Sequence, residues 1–174
     1  MTSGSDLLVF RVGPLLRRPG EQRDEVLEAS LDELVVIDSR VPADAPIVFK
    51  AHLESLNESI VVTGELTTTW EGICRRCLKP LTGTLRPTVQ EIFVRSPVEG
   101  ETWPIEGDRI DLEPIVREAV LLELPMAPLC SPDCAGLCPE CGADCNISPC
   151  QCSSHKIDPR WAALEDLRLD AGNE

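Results

Sequence analysis

The stretch IVFKAHLESLNESIVVTGELTTTWEGICRRC, residues 47–77, decides the fold of this chain. It contains two runs, 47–56 and 59–72, that are rich in apolar and β-branched residues, and such runs favour strands. Asn57 and Glu58 lie between the runs and suit a hairpin turn. We therefore predict two antiparallel strands joined by a tight turn.

Further strands are predicted on both sides of this hairpin. Residues 82–95, TGTLRPTVQEIFVR, indicate a third strand, in which Pro87 favours an edge position or a bulge because proline cannot donate to a β-ladder. The sequence CRRC at 74–77 lies between the second and third strands, so we expect it at the tip of a hairpin. Residues 7–12 and 24–30 indicate weaker strands, and 31–37 is ambiguous between strand and helix.

One helix is predicted after an acidic loop at 96–109. Asp111 can cap this helix, and Pro114 lies in its first turn, where a missing N–H costs little. Apolar residues then recur at helical spacing until Pro125 ends the segment. Such a helix packs across one face of an antiparallel sheet, which predicts an α+β domain over residues 1–128.

Residues 129–174 have a different composition. Seven of the nine cysteines lie at 129–157, in a context that cannot build an apolar core, so this stretch needs a cross-link or a metal in order to fold. Asp158-Pro159 begins a short C-terminal helix that packs through Trp161, Leu164 and Leu167. We therefore predict a cysteine-rich, zinc-binding tail that ends in a short helix.

Eight cysteines form four closely spaced pairs, and these are the predicted metal ligands. The pairs are Cys74/Cys77, Cys130/Cys134, Cys138/Cys141 and Cys150/Cys152. A spacing of two residues lets both sulfurs reach one tetrahedral ion from a tight turn. Nine cysteines in a chain expected in the reducing cytoplasm point to metal rather than to disulfides. Eight thiolates saturate two zinc ions, which predicts structural sites, although spacing alone does not separate zinc from iron.

Two partitions of the four pairs are open. The preferred partition joins 138/141 with 150/152 because only eight residues separate these pairs. The pairs 74/77 and 130/134 then form a second site that fastens the tail to the sheet. The alternative joins 130/134 with 138/141, and 74/77 with 150/152.

The remaining thiol and the two histidines have minor expected roles. Cys145 is left over from the four pairs and is expected to be a spare thiol. His155 lies three residues after Cys152 and could replace a ligand. His52 falls in a strand pattern and is expected to be structural or exposed.

The charge distribution bears on the partner. The formal net charge is −14, which argues against a simple nucleic-acid binder and favours a basic partner. The segment 74–95 is nevertheless basic, with five basic residues and one acidic residue. Arg75, Arg76 and Lys79 are therefore candidate RNA contacts, and a zinc-ribbon RNA-binding protein is the alternative function.

Several classes of function find no support in the residues. No apolar stretch is long enough to span a membrane, and no leader pattern precedes the first strand, so we expect a cytoplasmic protein. No nucleotide-binding loop or Ser/His/Asp set is present. A redox C-x-x-C normally begins a helix, whereas the flanks of CRRC have strand character. We expect neither an enzyme nor a small-molecule substrate.

The order of the cysteine motifs resembles that of a known family. CRRCL at 74–78, LPMAPLC at 124–130, GLCPECGADCNIS at 136–148, the C-x-C at 150–152 and DPRWAALEDL at 158–167 are similar to the YceD-like family, whose members are named large ribosomal RNA subunit accumulation proteins. That family commonly has Leu at the position of Cys145, which supports the interpretation of Cys145 as an extra thiol.

The resemblance implies a role without catalysis in large ribosomal subunit biogenesis, supporting accumulation of 23S rRNA. It implies no catalytic residues. Genes of this family often lie beside one for a small, basic large-subunit ribosomal protein. A ribosomal protein or a pre-ribosomal particle is therefore the expected partner, with rRNA contact as a further candidate.

Overall fold

The computed structural model describes residues 8–152 and contains ten strands and two helices within that range. The strands are β1 (Val9–Arg11), β2 (Gln22–Ala29), β3 (Val35–Val36), β4 (Ser39–Arg40), β5 (Ile47–Leu56), β6 (Ser59–Ile73), β7 (Pro80–Leu85), β8 (Thr88–Val94), β9 (Trp103–Pro104) and β10 (Arg109–Asp111). The helices are α1 (Gly13–Leu16) and α2 (Glu113–Glu123).

The 15-residue strand β6 organises the sheet. On one side, β6 pairs with β5 along its first part and with β4 near its end. On the other side, β6 pairs with β8 along its first part and with β7 along its second part. All four pairings are antiparallel. Asn57, in the turn between β5 and β6, has a positive φ of 40°. The two strands predicted at 47–56 and 59–72 are confirmed, β6 being one residue longer.

The predicted third strand is interrupted. We expected one strand over 82–95, but the structure has β7 and β8, separated by Arg86 and Pro87. Both strands keep the same register against β6. Proline lacks the N–H that the ladder requires, so the ladder stops there, while the Pro87 carbonyl still accepts a 2.8 Å hydrogen bond from the Leu66 N–H.

The weaker strand predictions have mixed outcomes. β2 confirms the strand predicted at 24–30, and β1 confirms the one predicted at 7–12, although within residues 8–152 β1 pairs only with β10. The ambiguous segment 31–37 contains only the short strand β3. The prediction of an acidic loop at 96–109 was incomplete, because this stretch contains the short strand β9, which runs parallel to β8.

Helix α2 confirms the predicted helix. Asp111 lies just before it, and its carboxylate accepts a 2.9 Å hydrogen bond from the Glu113 N–H. Within the helix, Arg117 pairs with Glu113 at 2.9 Å. The inner face of α2 contacts β8 and joins a core shared with the sheet. Large buried members of that core are Phe49, Leu53, Ile60, Phe93, Val116 and Val120.

The fold is therefore α+β, with a mainly antiparallel sheet and one main helix, as predicted. The boundary at residue 128 stays a prediction. The helix predicted at 158–167 lies outside the described residues. Within 8–152, no helix is both long and apolar enough to cross a membrane.

Candidate metal centres

Four cysteines from distant parts of the chain meet in one group, here called the clamp. Cys74 and Cys77 come from the turn between β6 and β7, and Cys130 and Cys134 come from the loop after α2. Their four Sγ atoms all lie within 4.8 Å of one another. All but Cys130 are buried.

The distances within the clamp fit a metal ion. The Cys74 and Cys134 sulfurs are 3.8 Å apart, and those of Cys77 and Cys130 are 3.5 Å apart. Four sulfurs at about 2.3 Å from a tetrahedral zinc ion are about 3.8 Å from one another, whereas a disulfide bond is about 2.05 Å long. The clamp therefore has the dimensions of a four-thiolate site and not of a pair of disulfides.

Backbone hydrogen bonds hold the two halves of the clamp together. The Arg75 N–H donates to the Pro128 carbonyl at 2.9 Å, and the Leu137 N–H donates to the Arg76 carbonyl at 3.1 Å. These two bonds connect the tip of the β6–β7 hairpin to the loop after α2, one just before Cys130 and the other just after Cys134. The tip itself is closed by a 2.8 Å bond from the Cys74 N–H to the Lys79 carbonyl.

The second group, here called the knuckle, is local in sequence. It consists of Cys138, Cys141, Cys150 and Cys152, whose sulfurs also lie within 4.8 Å of one another. The Gly142 N–H donates to the Cys138 carbonyl at 2.9 Å, and Gly142 has a φ of +72°. A residue with a side chain rarely adopts that φ, so glycine suits the turn that brings Cys138 and Cys141 together.

The two groups correspond to the preferred partition, and the alternative partition is wrong. The short loop between 141 and 150 accounts for the knuckle, and the hairpin tip reaches the loop after α2 to complete the clamp. Cys145 belongs to neither group. That the eight cysteines bind metal stays a prediction. His155 lies outside the described residues, and His52 contacts Asp24 at 2.7 Å.

The pKa values of the thiols differ sharply within each group. Burial opposes ionisation of Cys74, but backbone hydrogen bonds outweigh it and lower the pKa to about 6. Backbone hydrogen bonds likewise lower the pKa of Cys138 to about 6. Side-chain hydrogen bonds with neighbouring cysteines raise the pKa of Cys130 and of Cys152 to about 12. Each group thus contains one cysteine whose pKa is lowered and one whose pKa is raised.

The three candidate RNA-contact residues occupy different positions. The Arg75 side chain is exposed. Arg76 donates hydrogen bonds to the carbonyls of Cys134 and Pro132, at 2.9 and 3.3 Å. Lys79 forms a 2.8 Å ion pair with Asp144. Two of the three side chains therefore contact the chain itself, and contact with RNA stays a prediction.

Sequence reasoning missed Asp144 and Asn146. Both lie in the loop between Cys141 and Cys150, here called the knuckle loop. The Asn146 side chain contacts the sulfur of Cys134 in the clamp at 3.5 Å. The Asp-x-Asn pattern, in which the Asp144 carboxylate accepts from the Asn146 N–H at 2.9 Å, is a local turn signal that could have singled out this pair. Its contact with the clamp is visible only in three dimensions.

Comparison with known proteins places the chain among relatives from bacteria and plants. The family model for the large ribosomal RNA subunit accumulation protein YceD matches residues 62–168. An uncharacterized protein of Mycobacterium tuberculosis (strain ATCC 25618 / H37Rv) is 35% identical over 168 residues, covering 90% of this chain and 79% of the relative. The uncharacterized protein YlbN of Bacillus subtilis (strain 168) is 28% identical over 153 residues, covering 83% and 86%.

A plant relative carries a functional name. The chloroplastic large ribosomal RNA subunit accumulation protein YCED homolog 1 of Arabidopsis thaliana is 33% identical over 66 residues, which cover 38% of this chain and 21% of that protein. No solved structure matches the chain significantly. Because the family model spans more than half of the chain, and its matched range includes all eight paired cysteines, the chain belongs to the YceD family of large ribosomal RNA subunit accumulation proteins.

Proposed function

We propose that this chain is a non-enzymatic zinc protein that acts in large ribosomal subunit biogenesis in the cytoplasm. It supports accumulation of 23S rRNA by binding a basic ribosomal protein or a pre-ribosomal particle. Family membership is the observation that carries this proposal, since the family and its plant members are named for accumulation of the large-subunit RNA.

The donor sets of the clamp and the knuckle support structural zinc. Each group offers four sulfurs, which would complete the tetrahedral coordination of a zinc ion and leave no open coordination position for a substrate. In the clamp, Cys74, Cys77 and Cys134 are buried, as suits a site that stabilises the fold. Two ions would hold the loop after α2 against the sheet.

The placement of Cys74 and Cys77 supports a role without redox catalysis. The two residues lie in a turn between strands, whereas a redox C-x-x-C normally begins a helix. Their sulfurs also share a group with Cys130 and Cys134, so a bound ion would occupy the thiols that a redox reaction needs.

The charge of the surface supports a basic partner. Five exposed carboxylates fall within the short interval between β8 and α2, namely Glu99, Glu101, Glu106, Asp108 and Asp111. Together with a net charge of −14, they attract a basic protein at long range and weakly repel free RNA.

The alternative, direct RNA binding through residues 74–95, has narrower support. Arg75 and Arg86 are exposed and basic, which suits contact with phosphate. Arg76 and Lys79 are less suited because their charged groups already contact Cys134 and Asp144. For this reason we place the RNA-binding function second.

Two measurements test the proposal. Deleting the gene should lower the ratio of large-subunit to small-subunit rRNA, and the full chain should restore it; an unchanged ratio would exclude the biogenesis role. The tagged full chain should recover a large-subunit protein or particle at low salt and lose it as salt rises, because charge attraction is screened. If the chain instead recovers rRNA without ribosomal protein, and Arg75→Glu abolishes this, the alternative function holds.

The metal assignment has its own test. Full-length protein purified without chelator should contain two zinc ions per chain, and Cys141→Ser should lose one of them. The matched control Cys145→Ser should retain both, since Cys145 lies outside both groups. Iron in place of zinc, or loss of an ion from the Cys145 variant, would contradict the assignment.

A further inference from the structure

A side-chain amide from the loop between Cys141 and Cys150 contacts the clamp. The amide nitrogen of Asn146 lies 3.5 Å from the sulfur of Cys134, and the amide oxygen accepts a 2.8 Å hydrogen bond from the Ala135 N–H. Asn146 lies in the knuckle loop, between Cys141 and Cys150. One residue of the knuckle loop therefore donates to a clamp sulfur and also holds the backbone next to that sulfur.

Asp144 fixes the orientation of this amide. One oxygen of its carboxylate accepts from the Asn146 backbone N–H at 2.9 Å and from the Asn146 amide nitrogen at 2.6 Å. The other oxygen pairs with Lys79 at 2.8 Å, two residues after Cys77 of the clamp. The amide oxygen must therefore face Ala135, and the amide nitrogen must face Asp144 and Cys134.

A donor in this position acts on a metal-bound thiolate. Hydrogen bonds from a residue outside the ligand set orient a ligand and tune its hold on the metal, and their loss typically weakens metal affinity about 10- to 100-fold. Among the described residues, the Asn146 amide is the side-chain nitrogen that contacts a clamp sulfur.

The knuckle controls where this donor lies. Asn146 lies within the eight-residue loop between Cys141 and Cys150, which an ion in the knuckle closes at both ends. Backbone bonds hold the loop further, one of them from the Cys145 N–H to the Gly136 carbonyl at 2.9 Å. Closing a short loop removes conformational freedom, so the loaded knuckle presents Asn146 to Cys134 in a fixed position.

We propose that Asn146, oriented by Asp144, is a positioning residue of the clamp, and that through it a loaded knuckle strengthens the clamp's hold on its ion. This inference rests on the zinc assignment of the proposed function. It adds that the two sites bind metal cooperatively, with the knuckle supporting the clamp.

The test measures metal retention separately at each site. The zinc-loaded full chain is exposed to increasing chelator, freed thiols are alkylated, and mass spectrometry assigns each modified cysteine. Asn146→Asp has nearly the same shape and keeps the acceptor for Ala135, but it loses the donor. Asn146→Leu has a similar size and no charge but loses both the donor and the acceptor, so weakening shared by the two variants reports loss of the donor and not charge repulsion. Ile147→Ala is the matched control, because its side chain is 79% exposed.

The expected result is a selective change at the clamp. In both Asn146 variants the clamp cysteines become alkylated at about 10- to 100-fold lower chelator than in the parent, while the knuckle cysteines and the Ile147 control are unchanged. Emptying the knuckle with Cys150→Ser and Cys152→Ser weakens the clamp of the parent but adds little in the Asn146→Leu background, as coupled residues require.

Two results would overturn the inference. One is a clamp that resists chelator equally in the parent and in both Asn146 variants. The other is a knuckle-emptied protein whose clamp weakens by the same factor with and without Asn146. A parent chain that carries no zinc would instead remove the metal assignment itself, which separates failure of the proposed function from failure of this inference.

Discussion

The guanidinium of Arg76 donates a 2.9 Å hydrogen bond to the carbonyl oxygen of Cys134, which lies 58 residues further along the chain. A second bond of 3.3 Å reaches the Pro132 carbonyl. One side chain at the hairpin tip therefore supports the loop that carries two cysteines of the clamp. Arg75 and Arg76 are both exposed, but among the described residues the Arg75 side chain makes no such bond to the loop, so two adjacent arginines of one motif have different structural roles.

This difference predicts the effect of two matched substitutions. Arg76→Ala should lower the free energy of unfolding of the metal-loaded chain by about 1–2 kcal/mol, because two carbonyls lose a charged donor at a partly exposed site. Arg75→Ala should leave stability nearly unchanged. Urea denaturation at constant zinc measures both. Equal losses in the two variants would mean that the bonds of Arg76 do not stabilise the loop.

Gly136 provides a second matched pair. It has a φ of +75°, and a Cβ there would lie 3.0 Å from the Arg76 carbonyl oxygen. Gly100 has a φ of +79° with nothing near the added carbon. Both changes to alanine cost about 1–2 kcal/mol for the left-handed backbone. We expect Gly136→Ala to cost more in urea denaturation and to release zinc more readily, whereas equal costs would show that the loop moves freely away from the hairpin tip.

Metal affinity should rise with pH. Cys130 and Cys152 have a pKa raised to about 12, so near neutrality both carry a proton that the metal must displace. Acid favours the protonated, metal-free form, so affinity falls as pH falls. A competition titration between about pH 6 and about pH 8 should show a rise of about tenfold per pH unit for each proton released. A flat profile would mean that the thiols ionise before binding.

Removal of the metal should loosen one part of the molecule only. The bonds from Arg75 to Pro128 and from Leu137 to Arg76 join distant segments and depend on the clamp staying closed. The ladder between β5 and β6 has its own core and should persist. Hydrogen exchange with and without chelator should therefore show lost protection at 75 and 137 but not in β5 and β6. Loss of protection throughout the sheet would show that the whole fold needs metal.

Features set by local sequence were predictable. β5 and β6 were found because apolar and β-branched residues fill both runs and Asn57 suits the turn between them. The hairpin tip followed from the strand character on both sides of Cys74 and Cys77. The preferred grouping of the cysteines was correct, but loop length alone did not decide it, because the eight residues between Cys141 and Cys150 form a longer loop than the three between Cys134 and Cys138 in the wrong partition.

Features set by distant partners were not predictable. β4 is only two residues long and exists because Ser39 pairs with Gly72 of β6, while the Ser39 hydroxyl donates to the Pro125 carbonyl at 2.7 Å. No local pattern at Ser39 indicates either contact. The role of Asn146 was equally hidden, since it depends on where Cys134 lies in space. Pro87 was recognised as unusual, but its effect on the strand depended on β6 pairing with both β7 and β8 in one register.

The clamp also changes the connectivity of the chain. Cys77 and Cys130 lie 53 residues apart, and β7, β8 and α2 all fall between them. An ion held by both residues closes this interval into a ring, as a disulfide would. Zinc has no redox chemistry, so the ring survives reductants that would open a disulfide. With zinc bound, the chain would gain the topological restraint of a cross-linked secreted protein in a form that a reducing solution does not open.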